Sequence, residues 1–327
     1  MQSRQVLLKA RPDGMPKASD FEIETVDLPD PGPGEVLVKN LYMSVDPYMR
    51  GRMRLDFPLG KPLNGGAVGK VIASNNDQFA EGDYVTNPLG WREYCLVDQG
   101  LSKVDPDLAP LSTYLGVMGM PGLTAYGGLL RTGEFADGET VFVSAASGAV
   151  GSVVGQIVRI KGGVAIGSAG SDAKVRTLMD EYGFSHAFNY KTADPLEELR
   201  RGAPDGLNIY FENVGGPQLE AALTHMRAHG RIPICGMISM YNDQEPSPGP
   251  RNLTETIYKF ITLRGFVVSA FGDMQQQFRQ EMSGWISSGQ LKYHETVFEG
   301  IDNATEAFMG LFKGANDGKM LVKLADD

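Results

Sequence analysis

The sequence predicts an α/β protein with a small β-barrel, a doubly wound parallel sheet and a C-terminal tail that returns to the barrel. Residues 1–120 hold short β-branched runs separated by Gly/Pro turns, residues 121–290 alternate strand and helix patterns, and a turn of small residues joins the first strand and helix of that second part. Short strands with frequent turns favour a barrel, whereas alternating strands and helices favour a parallel sheet covered on both faces. We therefore expect two domains, 1–120 and 121–290, with residues 291–327 rejoining the first.

The first part contains turn signals at Pro29–Gly34 and Glu81–Asp83, and no long helical period appears before Gly122–Arg131. Runs of β-branched and aromatic residues between such turns indicate strands. The candidate strands are Arg4–Lys9, Glu35–Tyr42, Gly66–Ser74 and Arg92–Val97.

The second part predicts six strands with helices between them, which matches the two mononucleotide-binding halves of a doubly wound fold. A further helix near Asn303–Phe312 and a strand at Lys319–Leu324 form the returning tail, and we expect a cleft between the two domains. The candidate strands are Thr140–Ser144, Val164–Gly167, His186–Asn189, Leu207–Glu212, Gly230–Ile234 and Thr262–Val268, and the candidate helices are Val150–Lys161, Ala173–Tyr182, Pro195–Arg201, Pro217–Arg227 and Met274–Ser287.

The turn after the first of these strands has the pattern Ala146-x-Gly148-x-x-Gly151. Ala146 suits a tight turn, Gly148 lets backbone N–H groups approach a pyrophosphate, and Gly151 lets the helix pack closely on its strand. Because the pattern lies between a strand and a helix, it predicts a dinucleotide bound at the helix N-terminus. The alternative is a strand–helix turn that binds no nucleotide.

The next strand end, Ile166–Ser171, decides between the two nicotinamide cofactors. NAD enzymes usually place a carboxylate about 20 residues past the glycine turn, on the adenosine ribose, and this stretch has none. Ser168 and Ser171 could donate to a 2′-phosphate, and Lys174 could reach it as a point charge. Asp172 favours the opposite sign unless it caps the helix, and Lys174 could also be a solvated lysine. The missing acid favours NADP.

Composition narrows the class of protein. The net charge of −10 and the absence of a basic block disfavour nucleic acid as a partner. Cys95 and Cys235 are too few for a disulfide framework, which favours a reducing compartment. No run reaches the roughly 18 apolar residues of a membrane helix, and no signal peptide pattern begins the chain. We therefore expect a cytoplasmic protein without a membrane partner.

Seven motifs together resemble one family, the zinc-independent prostaglandin reductases of the medium-chain dehydrogenase/reductase superfamily. This group is also called the leukotriene B4 12-hydroxydehydrogenases and includes alkenal and curcumin double-bond reductases. The resemblance covers nearly the whole chain. Its motifs are Ser44–Arg52, Leu115–Tyr126, Ala145–Gly151, Phe188–Lys191, Tyr210–Gly216, Gly230–Gly236 and Asn316–Lys319.

The resemblance implies a GroES-like barrel, a Rossmann domain and NADPH-dependent reduction of a C=C bond conjugated to a carbonyl. The substrate would be a small enone or enal, and the protein would be a homodimer. It also implies roles for particular residues. The pyrophosphate would be held by Gly148, Ala149, Val150 and Gly151, and the adenosine phosphate would be flanked by Lys174 and Tyr190. The rest of the cofactor would be lined by Asn213, Cys235, Gly236, Tyr241, Phe266, Val268 and Asn316. The catalytic residues that face the substrate would be Tyr48 and Tyr258.

Ordinary structural roles remain open for several of these residues. Phe266 could be plain core, Cys235 and Tyr258 could fill apolar space, Tyr190 could be a strand-end aromatic, and Tyr48 could pack beneath the cleft rather than cover it. Arg50 and Arg52 are most simply solvated charges, although an anionic substrate tail could bind them.

The sequence predicts no metal. Zinc dehydrogenases of this superfamily use Cys and His ligands, whereas this chain has Asn64-Gly65-Gly66 where a His-Glu pair is expected, and its four histidines form no ligand pattern. Two other functions stay open: a zinc-free NADPH quinone reductase, and a nucleotide-binding protein with structural or redox-sensing work and no turnover.

Overall fold

The N-terminal part of the protein forms short strands because its valines alternate along them. The structure is a computed structural model that describes residues 1–327. Val36, Val38, Val71 and Val85 bury one face of a shared sheet. The elements are β1 (Gln2–Leu8), β2 (Phe21–Asp27), β3 (Val36–Ser44), α1 (Tyr48–Leu55), β4 (Ala67–Ser74), β5 (Tyr84–Asn87), β6 (Tyr94–Val97) and β7 (Ser102–Lys103).

Helix α1 is a helix that the sequence analysis did not predict. Its residues Met49 and Met53 stand four positions apart and are fully buried in the barrel core. Arg50 between them is also fully buried and donates to the carbonyl oxygens of Pro12 and Gly14 at 3.2 and 2.7 Å. The interpretation of Arg50 as a solvated charge was therefore wrong. Arg52 does stay 40% exposed and pairs with a carboxylate one turn later on the surface.

The middle of the chain forms the predicted doubly wound sheet. Its six strands are all parallel, in the order β10-β9-β8-β11-β12-β13. The elements are α2 (Met120–Gly127), β8 (Thr140–Val143), α3 (Gly151–Ile160), β9 (Val164–Ala169), α4 (Asp172–Arg176), β10 (His186–Asn189), α5 (Pro195–Gly202), β11 (Leu207–Phe211), α6 (Gly216–His225), β12 (Met226–Ile234), α7 (Glu255–Tyr258), β13 (Thr262–Gly265) and α8 (Gln275–Ser287).

Three of these elements differ by three or more residues from their predicted bounds. The helix predicted over 173–182 is α-helical only to Arg176 and then widens into a π-helical turn that ends at Glu181. Strand β12 begins four residues earlier than predicted, and β13 ends at Gly265, where a 3₁₀ turn soon follows. The observed ends of these strands differ from the predicted ones because hydrogen bonding to neighbouring strands, rather than local propensity, determines where a strand begins and ends.

The C-terminal tail returns to the barrel, as predicted. It forms β14 (Glu295–Glu299), α9 (Ala304–Lys313) and β15 (Lys319–Lys323), and β15 pairs antiparallel with β3. The chain separates into two compact units, one of residues 1–116 with 295–327 and one of residues 117–294. The sequence placed its divisions after residues 120 and 290. None of the helices is both long and apolar enough to cross a lipid bilayer.

Candidate active site

The strands of the parallel sheet all end at one edge of the 117–294 unit. Ligands of doubly wound folds bind outside the carboxyl ends of the strands, where neighbouring connections diverge. Strand β8 lies between β9 and β11, and the chain leaves it for β9 on one side and returns on the other. The glycine turn follows β8 directly, so it lies at this point of divergence.

Close packing explains why residue 151 is glycine, and the open space beside the turn explains why residue 148 is glycine. A Cβ on Gly151 would lie 2.5 Å from the carbonyl oxygen of Ala145, so only glycine lets α3 begin against the end of β8. A Cβ on Gly148 would meet one atom within 4 Å, the same oxygen at 3.2 Å. Ala149 and Val150 complete the turn, and Val150 occupies the position before α3 without a side-chain cap. The turn therefore leaves room at Gly148 while it is tightly packed at Gly151.

Two lysines and two hydroxyl side chains lie just after the carboxyl ends of β9 and β10, at Ser171, Lys174, Tyr190 and Lys191. Ser171 caps α4 by accepting a hydrogen bond from the Lys174 backbone N–H, and a Cβ on Gly170 would lie 3.2 Å from the Tyr190 hydroxyl and 3.5 Å from Cε of Lys191. The Asp172 carboxylate accepts from the Asn189 amide at 2.8 Å, so it does not cap the helix. These groups fit a phosphate. Lys191 was not among the predicted site residues, although it belongs to the Phe188–Lys191 motif.

Ser168 does not belong to this group, which corrects its interpretation as a phosphate donor. Its side chain is fully buried, and its hydroxyl donates to the Gln218 side chain. Alternation along β9 turns Ser168 into the sheet packing and leaves Ser171 at the strand end.

Asn213 lies directly after β11 and is held by the end of β8. Its side-chain amide donates to the Ser144 carbonyl oxygen at 2.8 Å, and its backbone N–H donates to the Ser144 hydroxyl at 2.9 Å. The sequence analysis did not single out Glu212, the fully buried residue before it, because nothing in a strand pattern marks a buried glutamate. Burial raises the pKa of this carboxyl.

The loop after β12 brings three more predicted residues to the same edge. The backbone N–H groups of Cys235 and Gly236 donate to the carbonyl oxygen of Glu212 at 2.9 and 3.1 Å. A Cβ on Gly236 would lie 2.8 Å from the Tyr241 hydroxyl, so Tyr241 folds back over the start of the loop. Burial raises the pKa of the Cys235 thiol to about 12, with the nearby Glu212 charge adding to the shift. The thiol is therefore neutral at physiological pH and is a poor nucleophile.

Phe266 and Val268 follow the carboxyl end of β13. The Phe266 ring packs edge-on against Phe211 at 6.0 Å, and a Cβ on Gly128 would lie 2.5 Å from it. The ring of this half-buried residue is therefore part of the apolar packing beside the sheet. Both residues lie at the same sheet edge as the glycine turn.

Tyr258 is not at this edge. It ends α7, four residues before β13 begins, and residues that precede a strand of a parallel sheet lie at its amino edge. Its side chain is 79% exposed. Within one chain, Tyr258 therefore lies apart from the predicted cofactor residues. The segment that contains Tyr258 precedes β13. The other predicted residues of this unit come after a strand, and Lys174 among them lies in the helix that follows β9.

Tyr48 and Asn316 belong to the other unit, at one end of the β3–β15 pair. Leu321 of β15 pairs with Ser44 of β3, so the segments that contain Tyr48 and Asn316 flank the same end of these two strands. The Asn316 side chain donates to the carbonyl oxygen of Gly318 at 2.8 Å. Burial, and then the Asp46 carboxylate, raise the pKa of the Tyr48 hydroxyl, so it keeps its proton at neutral pH.

A buried ion pair ties these two segments together. The Lys319 ammonium donates to the Asp46 carboxylate at 3.1 Å and to the carbonyl oxygens of Val45 and Met320 at 3.0 and 2.8 Å. The two side chains are only 5% and 8% exposed. Lys319 belongs to the Asn316–Lys319 motif, but the ion pair was not predicted because Asp46 is distant in the sequence.

No three His, Cys, Asp or Glu side chains come close enough to bind a metal ion together. Cys95 is buried beside Asn40 and Asn87, and the Asn64 side chain accepts from Arg92.

Comparison with known proteins identifies the family. Residues 4–104 match the family described as the N-terminal domain of oxidoreductase, and residues 149–288 match the one described as zinc-binding dehydrogenase. Prostaglandin reductase 1 of Bos taurus is 48% identical over 95% of both chains. The chain belongs to the zinc-independent medium-chain dehydrogenase/reductases. The NADP(+)-dependent 2-alkenal reductase of Nicotiana tabacum, another relative, is 44% identical over 99% of this chain and 98% of its own.

Solved structures of this superfamily agree. CurA of Vibrio vulnificus in complex with NADPH superposes with a TM-score of 0.94 at 39% identity and covers 99% of this chain and 100% of its own. A quinone oxidoreductase of Pseudomonas syringae has a TM-score of 0.79 at 20% identity over 99% and 100% of the chains, which shows the fold alone. The predicted family and the predicted combination of GroES-like and Rossmann domains are both confirmed.

Proposed function

We propose that this protein is an NADPH-dependent reductase of α,β-unsaturated aldehydes and ketones. The observation that carries the proposal is the strand end Ile166–Ser171, which holds no carboxylate, in a chain 44% identical to an NADP-dependent 2-alkenal reductase. Asp172 follows this strand end, but its carboxylate is engaged by the Asn189 amide, and Lys174 supplies a cation nearby. The prediction of NADP(H) as the cofactor is confirmed by that relative and by the NADPH-bound Vibrio structure. The quinone oxidoreductase is far more distant, which favours enone reduction.

The residues present fit this cofactor. Gly148 leaves open space beside the turn, and Lys174 and Lys191 supply positive charge at the adenosine end. When bound, NADPH supplies the hydride that adds to the β-carbon, and charge then collects on the substrate carbonyl oxygen as an enolate. The protein has to hold a hydrogen-bond donor near that oxygen. We propose Tyr48 and Tyr258 as these donors, and the raised pKa of Tyr48 means that it retains its phenol proton at neutral pH.

The test is a cofactor-oxidation assay. Protein and NADPH are mixed with a panel of enones, enals and quinones, and the loss of absorbance near 340 nm is followed. We expect turnover of the enones and enals. Turnover of quinones alone would favour the quinone reductase, and NADPH binding without any turnover would favour the non-catalytic protein.

Cofactor selectivity should depend on Lys174. Lys174→Ala is expected to weaken NADPH binding by about 10- to 100-fold and to leave NADH nearly unchanged, because a hydrogen bond to a charged group contributes ~1.5–3 kcal/mol. Fluorescence titration with both cofactors measures this. Arg176→Ala is the matched control, because it removes a cation from the opposite face of the same short helix. Equal losses of NADPH and NADH in Lys174→Ala would contradict the assignment.

Activity should be independent of metal. Dialysis against a strong chelator is expected to leave the turnover rate unchanged, because no three side chains of the ligand types lie together. Elemental analysis of the same sample should find no stoichiometric zinc. Activity that is lost and returns only with added zinc would reveal a site outside the residues considered.

We also propose that the protein works in the reducing cytoplasm, where its two free thiols remain reduced.

We propose further that the protein is a homodimer that pairs through β13. Strand β13 is an edge strand of the parallel sheet. Its surroundings are unusually apolar for a surface: Ile257, Tyr258, Phe260 and Val267 are between 65% and 79% exposed. An open edge with apolar flanks favours pairing with a second copy, and a two-fold axis makes that pairing antiparallel.

Antiparallel pairing also gives Tyr258 a place in the chemistry. It sets the amino end of one β13 beside the carboxyl end of the other, so Tyr258 of one chain would approach the sheet edge of its partner where the cofactor binds. Analytical ultracentrifugation is expected to show a dimer for the natural chain and a monomer for Val267→Lys. Leu55→Lys, at a residue 82% exposed in the other unit, should remain dimeric. A monomeric natural chain would overturn this arrangement.

A further inference from the structure

A buried carboxyl group at the end of β11 organises the cofactor edge of the sheet. Glu212 is fully buried, and its Oε1 accepts four hydrogen bonds. Two come from the Val214 and Gly215 backbone N–H groups at 2.6 and 2.9 Å. The other two come from the Tyr210 and Ser144 hydroxyls at 2.7 and 3.2 Å. One oxygen therefore joins β8, β11 and the turn that follows β11.

The hydrogens of this network can be assigned. A hydroxyl carries a single hydrogen, and Ser144 accepts from the Asn213 N–H at 2.9 Å. The Ser144 hydrogen is thus free to point at Glu212, and the Tyr210 hydrogen points there along its shorter contact. Ser144 then relays between the carboxyl group and the backbone of Asn213.

The same residue supports the neighbouring loop. The carbonyl oxygen of Glu212 accepts from Cys235 and Gly236, while the carbonyl oxygens of Asn213 and Val214 accept from the N–H groups of Ile238 and Ser239 at 3.0 and 3.1 Å. The turn that Glu212 holds is therefore the surface on which the Cys235–Tyr241 loop rests.

Burial of the Glu212 carboxyl group does not by itself stabilise the folded protein. Four neutral donors and no cation bond to the carboxyl group, and its Oε2 is buried without a partner. An acidic group in such a place is costly compared with an apolar side chain of similar size. The turn itself needs positive φ at Gly215 and Gly216, +81° and +58°, so its backbone N–H groups converge on one acceptor.

We propose that Glu212 is a positioning residue for the cofactor: its carboxyl oxygen fixes the Asn213–Gly216 turn and, through it, the Cys235–Tyr241 loop in the conformation that binds NADPH. The inference rests on the proposed function, because it takes the carboxyl edge of the sheet as the cofactor site. It adds a residue that would not itself contact the cofactor.

Two measurements that do not depend on turnover test it. In the protein without cofactor, Glu212→Ala is expected to speed hydrogen exchange at the amides of Val214 and Gly215 by about tenfold or more, because each loses its acceptor. By fluorescence titration, the same change should weaken NADPH binding by about 10- to 100-fold. Glu212→Gln keeps an acceptor oxygen and should restore most of the protection and affinity.

Glu139→Ala is the matched control. It removes a carboxylate that precedes the amino end of β8 and is paired with Arg231 at 2.6 Å, so it lowers stability in the same unit at the opposite edge of the sheet. We expect it to leave exchange at the turn and NADPH affinity unchanged. If Glu212→Ala does not fold, Ser144→Ala provides the test instead. It removes the hydroxyl that links Glu212 to the backbone N–H of Asn213 and should also weaken NADPH binding.

The outcomes separate the two claims. If the natural protein fails to bind NADPH, the proposed function falls. If it binds NADPH and Glu212→Ala retains both normal exchange at the turn and normal affinity, only the role of Glu212 is overturned. Equal loss of affinity in Glu139→Ala would also overturn it, since stability rather than positioning would then explain the effect.

Discussion

Gly148→Val is expected to abolish NADPH binding by a folded protein. The Cβ would meet only the Ala145 carbonyl oxygen, at 3.2 Å, and a shift of a few tenths of an ångström relieves this contact, so we expect the variant to fold. Its two methyl groups would occupy the space through which a pyrophosphate approaches the turn. Losing two charge-assisted hydrogen bonds of ~1.5–3 kcal/mol each corresponds to a drop in affinity of at least about 100-fold. Fluorescence titration gives the affinity and circular dichroism checks the fold.

Two other glycines serve as controls for this experiment. Gly284→Val adds the same side chain to α8, where a Cβ meets nothing within 4 Å, and should change neither affinity nor melting temperature. Gly151→Val forces a Cβ to 2.5 Å from the Ala145 carbonyl oxygen and should lower stability by about 1–3 kcal/mol. If a folded Gly148→Val protein still binds NADPH tightly, the nucleotide lies elsewhere.

Tyr258→Phe is expected to lower kcat by roughly 10- to 1000-fold with little change in NADPH affinity. The substitution keeps the ring and removes only the hydroxyl that we propose donates to the enolate oxygen, and loss of one such donor has an effect of this size. Steady-state kinetics with an enone at saturating NADPH measures it. The dimer should persist, because the phenyl ring retains the apolar surface.

Tyr94→Phe is the matched control for Tyr258→Phe, because it removes a phenol hydroxyl from β6 in the other unit. Its kcat should equal that of the natural protein. An unchanged rate in a dimeric Tyr258→Phe protein would remove Tyr258 as the donor and leave Tyr48 as the remaining candidate.

The parallel sheet and its glycine turn were predictable because their signals are local. The spacing of Ala146, Gly148 and Gly151 and the alternation of strand and helix patterns can be found within short windows of sequence. Helix α1 was missed because Gly51 and three arginines obscure its period, and only the burial of Met49 and Met53 reveals the inward face.

Site residues whose roles depend on distant partners were not predictable. Lys319 is buried only because Asp46, far away in the sequence, neutralises it. Ser168 was expected to face a phosphate, but the sheet register turned it inward to Gln218. Glu212 carries no pattern of its own, and its importance is visible only once the donors on β8 and the following turn surround it.

The order of strands in the barrel sheet has a consequence for synthesis. Residues 319–323 are synthesised after the whole 117–294 unit, yet they form the strand between β14 and β3. The continuous segment 117–294 can fold as it emerges, whereas the first 116 residues wait with the end of β3 at Tyr42–Ser44 unpaired on the side where β15 will bind. A truncated chain therefore exposes an open strand edge to aggregation and proteolysis. Closure of the barrel therefore has to wait until β15 has been synthesised.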